Sequence, residues 1–411
     1  MTKLLLACAL VLTAGSVWGG EPVPIDESAP VAVPAASEKA MEFHRTGMLW
    51  WGFNRVWALA LPAVVLFSGI SARLRNVAAK VGGGWVVAVA IYVPLYLLLT
   101  GLISLPIAYY EGFVRLHAYG LSNQSLGKWA GNRAKWLMVD SVVGVLIAWG
   151  LYALLRWSPR RWWLYMALGS VPFLFASMLV MPVWIDPLFN DFGPMRDKAL
   201  ERSILDLAAR SGIESGRVFE VDKSADTNAL NAYVTGFWGT KRIVLWDTLL
   251  ARMNEREVLC VMAHEMGHYV LGHVVRSILL SFVVTLAGLY FAHRAAGGLV
   301  ARFRGRFGFD DLRDVASVPL FLLLLQVAAL GLEPAGLAYS RYQEHEADRF
   351  ALEVTGMNHS AASAFLKLQE ANLSNPRPGW VHRVFRATHP SIGERIDFCN
   401  SYRPTVSPGA D

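Results

Sequence analysis

The chain has 411 residues, of which 54% are hydrophobic and only 17% are charged, and its mean hydropathy is +0.37. These values exclude an ordinary soluble domain, in which about a quarter of the residues are charged, and predict a protein built largely from membrane helices. The net charge of +6 comes without a basic run spaced for nucleic acid, so no nucleic-acid partner is expected, and three cysteines are too few for a disulfide scaffold.

The chain begins with two segments that have no predicted place in a folded core. Residues 1–20 carry Lys3, an apolar run and then small residues, which predicts a secretory signal peptide or else a retained first membrane helix. Residues 21–40 are rich in Pro, Ala, Ser and Glu and have no periodicity. We therefore interpret 21–54 as a flexible tether.

Six apolar spans follow, with tryptophans clustered at their ends as an interfacial aromatic belt requires. Four of them make up a membrane region at 55–186, and the last two form a helix hairpin at 274–332. With the leader, the chain has six or seven membrane helices. The predicted spans are 55–71, 85–110, 136–155, 162–185, 274–292 and 315–332.

The Lys and Arg residues of the short loops predict the orientation. The loops at 72–84, 156–161 and 293–314 are basic and lie on one side of the membrane in the six-span interpretation. That side should be cytoplasmic, because short cytoplasmic loops carry an excess of Lys and Arg. We expect a multi-pass protein of a bacterial inner membrane, with segments 187–273 and 333–411 facing away from the cytoplasm.

Segment 187–273 is predicted to be a small α+β part outside the membrane. An amphipathic pattern predicts a helix at 195–210, and apolar runs predict strands at 217–221, 231–237 and 242–246. An edge strand of such a sheet can bind an extended peptide through backbone hydrogen bonds. The sheet could equally serve only as a cover for the helix that follows, predicted from Asn254 to His273.

That helix contains the motif His-Glu-x-x-His. His264 and His268 are four residues apart and share one face, so they can direct two imidazoles at one metal ion. Glu265 lies about 100° around the helix, where its carboxylate can reach a water on that ion. This arrangement is typical of zinc peptidases, in which the ion lowers the pKa of its water toward about 7 and the carboxylate takes the proton.

Two neighbours of the motif are open to other interpretations. Cys260 lies one turn before His264 on the same face, and a thiolate is a good zinc ligand. We interpret it as a small buried residue, since free cysteines are usually buried. His273 follows His268 by five residues, so on a continuous helix it is predicted to turn away from the metal face.

The topology predicts where a third ligand should lie. The sixth span begins near Val315 and runs back toward the motif, so a ligand at comparable depth should follow about 25 to 30 residues later. Glu344 stands there, and Asp348 lies four residues further on the same face, suited to accept from a ligand imidazole. His345 and Glu346 remain alternative ligands on composition alone, and the whole cluster could instead be a solvated helix face.

Several separated stretches together resemble one known family. They are HEMGH, SRYQEHEADRFA, THPSIGERI, IDPLFNDFGPM and NAYVTGFWGTKRIVLWDTLL. The chain is similar over residues 94–397 to the CAAX prenyl protease 1 family, membrane-embedded zinc endopeptidases related to the bacterial heat-shock membrane protease. The resemblance implies one zinc ion bound by His264, His268 and Glu344, with Glu265 as the base and Asp348 behind a ligand histidine.

The resemblance also assigns residues that the spacing alone does not. Asn231 and Ala232 would border the substrate on an edge strand, and His389 and Arg395 would reach the site to steady the carbonyl oxygen or the substrate. The implied fold is mainly α: a polytopic membrane protein whose helices enclose a chamber beside a small extramembrane α+β zinc-peptidase domain.

Two features depart from the eukaryotic members of that family. Those members have seven spans, and they cut prenylated substrates on the cytosolic side, whereas the basic loops here place the motif on the opposite side. We therefore expect a membrane zinc metalloendopeptidase acting on membrane-associated proteins or peptides, with or without a lipid modification. The alternatives are a broad quality-control protease and a non-catalytic metal-binding scaffold, and Glu265 argues against the scaffold because a structural site has no use for a base. The oligomeric state is not predicted.

Overall fold

The computed structural model describes residues 25–213, 217–236 and 242–403, so the predicted leader at 1–20 lies outside the described residues. Six helices in the described part are long and apolar enough to cross a membrane, which confirms the six predicted spans. They are Glu38–Phe67, Gly84–Ala118, Leu126–Trp157, Trp162–Leu188, His273–Phe307 and Val315–Thr355.

The first four spans are built from six α-helices. They are α1 Glu38–Phe67, α2 Ile70–Ala79, α3 Gly84–Tyr109, α4 Leu116–Ala118, α5 Leu126–Trp157 and α6 Trp162–Val180. A π-helical turn, Tyr110–Arg115, joins α3 to α4, and a second, Met181–Ile185, extends α6. Serine side chains start α1 and α5, where Ser37 accepts a hydrogen bond from the Ala40 amide and Ser125 from the Lys128 amide.

The extramembrane part contains a four-stranded sheet. Its elements are β1 Phe192–Pro194, α7 Lys198–Arg210, β2 Arg217–Val221, β3 Ala232–Thr235, β4 Arg242–Trp246 and α8 Asp247–Leu250. The strand order is β1-β2-β4-β3, with β2 and β4 parallel and β3 antiparallel to β4. The predicted strands at 217–221 and 242–246 coincide with β2 and β4, and β3 is an edge strand of this sheet.

The remaining helices alternate between the membrane and the peptidase part. They are α9 Glu255–Val270, α10 His273–Phe307, α11 Val318–Thr355, α12 Asn358–Ala371, α13 Trp380–Phe385 and α14 Ile392–Ser401. Asn254 and Glu257 form a capping box that fixes the start of α9. The predicted helix from Asn254 to His273 is interrupted, because Gly272 adopts a left-handed conformation with φ of 68° and starts the new helix α10.

The segment interpreted as a flexible tether at 21–54 is ordered where the structure describes it, so that prediction is corrected. Helix α1 already begins at Glu38, and residues 25–37, here called the N-terminal strap, lie against the peptidase helices. Glu27 bonds to Arg256, and Val31 exchanges two hydrogen bonds with the side chain of Asn400. These partners satisfy the extended backbone, which its Pro-rich composition does not reveal.

Candidate active site

Helices α9 and α11 approach each other closely at Gly267. A Cβ on Gly267 would lie 3.3 Å from the Ala347 Cα and 3.1 Å from the Phe350 Cδ1, so only a residue without a side chain fits there without displacing its neighbours. Ala347 is followed by Asp348 and preceded three residues earlier by Glu344, all on the buried face of α11. The close approach therefore brings the motif of α9 and the acidic face of α11 together.

The side chains of His264, His268 and Glu344 converge at this crossing. Their nitrogen and oxygen atoms all lie within 4.8 Å of one another. The His264 Nε2 is 3.2 Å from the Glu344 Oε2, and the His268 Nε2 is 3.5 Å from the Glu344 Oε1. The structure brings Glu344 to the two imidazoles; His345 is exposed and packs on Phe398.

These three residues fit a bound metal cation. The Glu344 Oε2 is buried, and no described residue donates a hydrogen bond to it. The His264 Nδ1 lies 2.8 Å from the Asp348 Oδ1, so a proton on Nδ1 leaves the lone pair of Nε2 directed toward Glu344. Burial lowers the pKa of His264, but Asp348 and then Glu344 raise it to about 9, and the same carboxylates favour a cation at this place. Two imidazoles and one carboxylate are the donor set of a peptidase zinc site.

Arg395 holds Asp348 in place. Its Nε donates to the Asp348 Oδ2 at 2.9 Å and its Nη2 to the Oδ1 at 2.6 Å, and the guanidinium covers the ring of Phe365 at 3.9 Å. The Nη2 also lies 3.3 Å from the His264 Nδ1. The predicted contact of Arg395 with a substrate carbonyl stays a prediction, while the observed contacts show that it positions Asp348.

Glu265 and His389 line one cavity beside the three converging side chains. Burial raises the pKa of the Glu265 carboxyl group, and the imidazoles of His264 and His268 partly oppose this effect. A carboxylate with a raised pKa takes up a proton more readily, as a general base requires. The His389 Nε2 lies 3.1 Å from the Glu344 Oε2, so the predicted loop histidine does reach the site.

His273 also belongs to the site, although its position in the sequence predicts that it turns away. Its Nδ1 lies 2.9 Å from the His268 Nδ1, and its Nε2 lies 3.4 Å from the Glu346 Oε2. The reason is the break at Gly272: His273 starts a new helix, so the spacing from His268 no longer follows a helical period. Gly272 itself is the signal in the sequence that a helix end should have been considered.

The cavity has a volume of about 660 Å³ and reaches the edge of the sheet. Asn231 and Ala232 line it at the start of β3, so the structure brings both predicted substrate-binding residues into the same cavity as His264 and Glu265. Cys260 is 3% exposed and lies outside the converging metal-binding group, in agreement with its interpretation as a small buried residue.

Comparisons with known proteins agree with this geometry. Residues 194–402 match the model of peptidase family M48, and residues 23–191 match the CAAX prenyl protease N-terminal model, described as five membrane helices. The uncharacterized metalloprotease YhfN of Bacillus subtilis is 38% identical over 81% of this chain and 78% of its own. CAAX prenyl protease 1 of Saccharomyces cerevisiae is 29% identical over 72% of this chain and 69% of its own. The crystal structure of S. mikatae Ste24p superposes with a TM-score of 0.77 at 25% identity and covers 87% of each chain.

Proposed function

The chain belongs to peptidase family M48, and from this membership we propose that it hydrolyses peptide bonds with one zinc ion bound by His264, His268 and Glu344. The protein is a multi-pass membrane metalloendopeptidase. The observation that supports the three ligands is the convergence of their donor atoms within 4.8 Å beside Glu265. Zinc follows from the imidazole and carboxylate donors and from an arrangement that leaves room for substrate.

The remaining side chains divide the catalytic work between them. When bound, zinc supplies Lewis-acid polarisation of the carbonyl and lowers the pKa of a bound water. Glu265 takes the proton of the attacking water and returns it to the leaving amine. Asp348, held by Arg395, keeps the His264 imidazole in the tautomer that binds through Nε2. His389 is close enough to the ligand carboxylate to steady the carbonyl oxygen.

We propose that the substrate is a membrane-associated protein or peptide that lies along β3. The free edge of β3 suits an extended peptide, and Asn231 and Ala232 border the cavity there. The cavity is also lined by Phe43 and His44 of the first membrane helix, which supports a substrate close to the bilayer. The name of the yeast relative describes that protein as a prenyl protease. Comparing plain and prenylated peptides tests whether this chain needs a lipid on its substrate.

We also propose that the site faces away from the cytoplasm of a bacterial inner membrane. The basic loops support this orientation, and the opposite assignment follows only from the eukaryotic relatives. A lipid-free, extracytoplasmic substrate would then make quality control or peptide processing the physiological role.

The proposed function predicts that Glu265→Ala abolishes cleavage of a mixed peptide library. The loss of the base should slow cleavage by about 10²- to 10⁴-fold. Detergent-purified wild type and variant are compared by mass spectrometry of the products, with each peptide supplied plain and prenylated. Glu255→Ala is the matched control, because Glu255 is an exposed acid on the same helix, and its carboxylate bonds to Ser203 and to no other described side chain.

The outcome also decides between the alternatives. Bound metal is measured on the same preparations. Cleavage of the peptide library by the wild type should stop when a chelator is added and return when zinc is added back. Equal cutting by wild type and Glu265→Ala would show that Glu265 is not the base. Zinc in both proteins without any cutting would favour a non-catalytic metal protein.

A further inference from the structure

One part of the cavity wall is basic. Arg115, in the π-helical turn after α3, and Arg386, directly after α13, line the same cavity as His264 and Glu265. A Cβ on Gly47 of α1 would lie 3.2 Å from the Arg115 Nη2 and 3.4 Å from the Arg386 Nη1. The two guanidinium groups therefore converge on the space that this glycine leaves open.

Protein groups leave much of this charge unsatisfied. Arg115 donates to the Phe43 carbonyl at 2.7 Å and to the Thr46 hydroxyl at 3.3 Å, and it covers the ring of Phe43 at 4.0 Å, but its Nε is buried and has no hydrogen-bond partner among the described residues. The side chain of Arg386 is exposed, and its one hydrogen-bond contact among the described residues runs 3.7 Å from Nη1 to the Met48 sulfur. Among the described residues, no carboxylate pairs with either guanidinium within 4.0 Å.

The other ionisable groups around the pair neutralise it only in part. Glu111 attracts both arginines, but its carboxylate forms no direct ion pair with either and accepts a hydrogen bond from Asn54 at 2.7 Å. The rings of His44 and His382 lie 5.1 Å apart, and burial, followed by His44 and Arg386, lowers the pKa of His382 to about 4. His382 is therefore uncharged at neutral pH. Burial, followed by the Arg115 charge, lowers the pKa of Arg386, and the Glu111 charge opposes this effect.

The basic pair lies a short distance from the reacting centre. Only residues 387–388 separate Arg386 from His389, whose Nε2 is 3.1 Å from the ligand oxygen of Glu344. Three residues of extended chain span at most about 11 Å. A substrate peptide whose scissile bond lies beside Glu265 can therefore contact Arg386 with a group only a few residues away from that bond.

We propose that Arg115 and Arg386 form a subsite that binds a carboxylate of the peptide substrate. The inference rests on the proposed peptidase function. A guanidinium binds a carboxylate through two parallel hydrogen bonds, and a carboxylate here would supply the directly paired counter-ion that the described residues do not. Two groups have this chemistry, a free C-terminal carboxylate and an Asp or Glu side chain, and the experiment separates them.

The experiment measures binding, so it does not depend on cleavage. Glu265→Ala protein in detergent is mixed with a pool of synthetic peptides made in matched forms. One comparison changes the free C-terminus to an amide, and the other changes Asp and Glu to Asn and Gln. Retained peptides are quantified by mass spectrometry, and the same pool is applied to Glu265→Ala combined with Arg386→Gln, Arg386→Lys or Arg383→Gln.

We expect Glu265→Ala to retain the carboxylate form about 10- to 100-fold better than its amide partner, the range for a charged hydrogen bond. Arg386→Gln should remove most of this preference and Arg386→Lys should keep part of it. Arg383→Gln should change nothing, because Arg383 is an exposed arginine of α13 that pairs with Glu394 outside the cavity. A preference for the free C-terminus over the amide identifies the C-terminal carboxylate as the ligand. A preference for Asp and Glu over Asn and Gln identifies a side-chain carboxylate.

An equal preference with and without Arg386→Gln overturns the subsite, as does the absence of any preference for carboxylate peptides in Glu265→Ala. Arg386 is changed rather than Arg115 because Arg115 also donates a hydrogen bond to the Phe43 carbonyl of α1, so its loss would disturb the packing of α1 as well as the subsite. If the library is cut in a Glu265-dependent manner without a carboxylate preference, only the subsite fails. If the preference is present but no peptide is cut, the peptidase proposal fails and the binding site stands.

Discussion

The two imidazoles of the site are held by chemically different partners. His264 faces the carboxylate of Asp348, whose charge Arg395 offsets. His268 faces a second imidazole, His273, which in turn approaches Glu346 at 3.4 Å. Both partners fix the tautomer of the ring that they contact, because the hydrogen bond at Nδ1 decides which nitrogen carries the lone pair.

This arrangement predicts that His273→Ala weakens zinc binding. Loss of the partner that orients a metal-binding histidine typically costs 10- to 100-fold in metal affinity, and we expect a loss of about that size here. The affinity is measured by competition with a chromogenic chelator, so the result does not depend on activity. His273→Gln, which keeps a hydrogen-bonding side chain, should lose less.

His293→Gln is the control for this change, since His293 lies on the same helix α10 but packs against Trp162 and Trp163. Its zinc affinity should equal that of the wild type. An unchanged affinity in His273→Ala would show that the contact with His268 has no orienting role.

At the scale of elements, predictability follows the range of the interactions. The faces of α9 and α11 were predictable, since a period of 3.6 residues places His264 with His268 and Glu344 with Asp348. The end of α9 does not follow from the period, because a single left-handed glycine, Gly272, interrupts it, and only the glycine itself signals the break. The basic pair was also beyond prediction, since Arg115 and Arg386 come from elements 271 residues apart in sequence.

The N-terminal strap shows the same limit for a longer segment. Its composition predicts disorder, yet Glu27 accepts hydrogen bonds from Arg256 of α9 and from the amide and hydroxyl of Ser360 in α12. Val31 and Val33 pack on the cluster that contains Cys260. The strap therefore ties the helix that carries the motif to its neighbours.

We predict that Glu27→Ala destabilises the peptidase part. Charged hydrogen bonds contribute about 1.5–3 kcal/mol each, but Glu27 is partly exposed and water replaces part of these bonds in the variant. The free energy of unfolding should therefore fall by about 1–3 kcal/mol. The unfolding midpoint in detergent, followed by fluorescence, should fall by several degrees.

Asp26→Ala serves as the comparison, because Asp26 is an exposed acid of the same strap whose carboxylate accepts hydrogen bonds from Ser28, two residues away. Its unfolding midpoint should match that of the wild type. If Glu27→Ala and Asp26→Ala unfold at the same temperature, the contacts of Glu27 do not stabilise the fold.

At the scale of the whole molecule, membrane and peptidase parts share their helices. Helix α10 begins with His273 beside the metal-binding group, and α11 runs from the membrane to Glu344 and Asp348 without a break. The cavity takes its wall from α1, from the π-helical turn after α3 and from the sheet together. The depth of the third ligand was predictable from the topology for this reason. Two helices that cross the same membrane in opposite directions need about the same number of residues to reach the same depth.

The shared helices also set the site and the basic loops at opposite ends of the membrane part. The loops at 72–84, 156–161 and 293–314 meet on one side: Arg75 pairs with Asp314, and Arg156 donates to the Arg313 carbonyl at 2.9 Å. The metal-binding group lies at the opposite ends of α10 and α11. Because the joined loops carry the excess of Lys and Arg, they should be cytoplasmic and the site extracytoplasmic.

Reporter fusions test this orientation in cells. Alkaline phosphatase, which is active only outside the cytoplasm, should be active when fused after Arg403 and inactive when fused after Asp310 in the loop between α10 and α11. Green fluorescent protein, which fluoresces in the cytoplasm, should give the reverse pattern at the same two positions. Each position thus controls for the other, since poor expression lowers both signals whereas orientation exchanges them. Phosphatase activity after Asp310 together with fluorescence after Arg403 would place the site in the cytoplasm, and cytosolic prenylated proteins would then become the substrates to test.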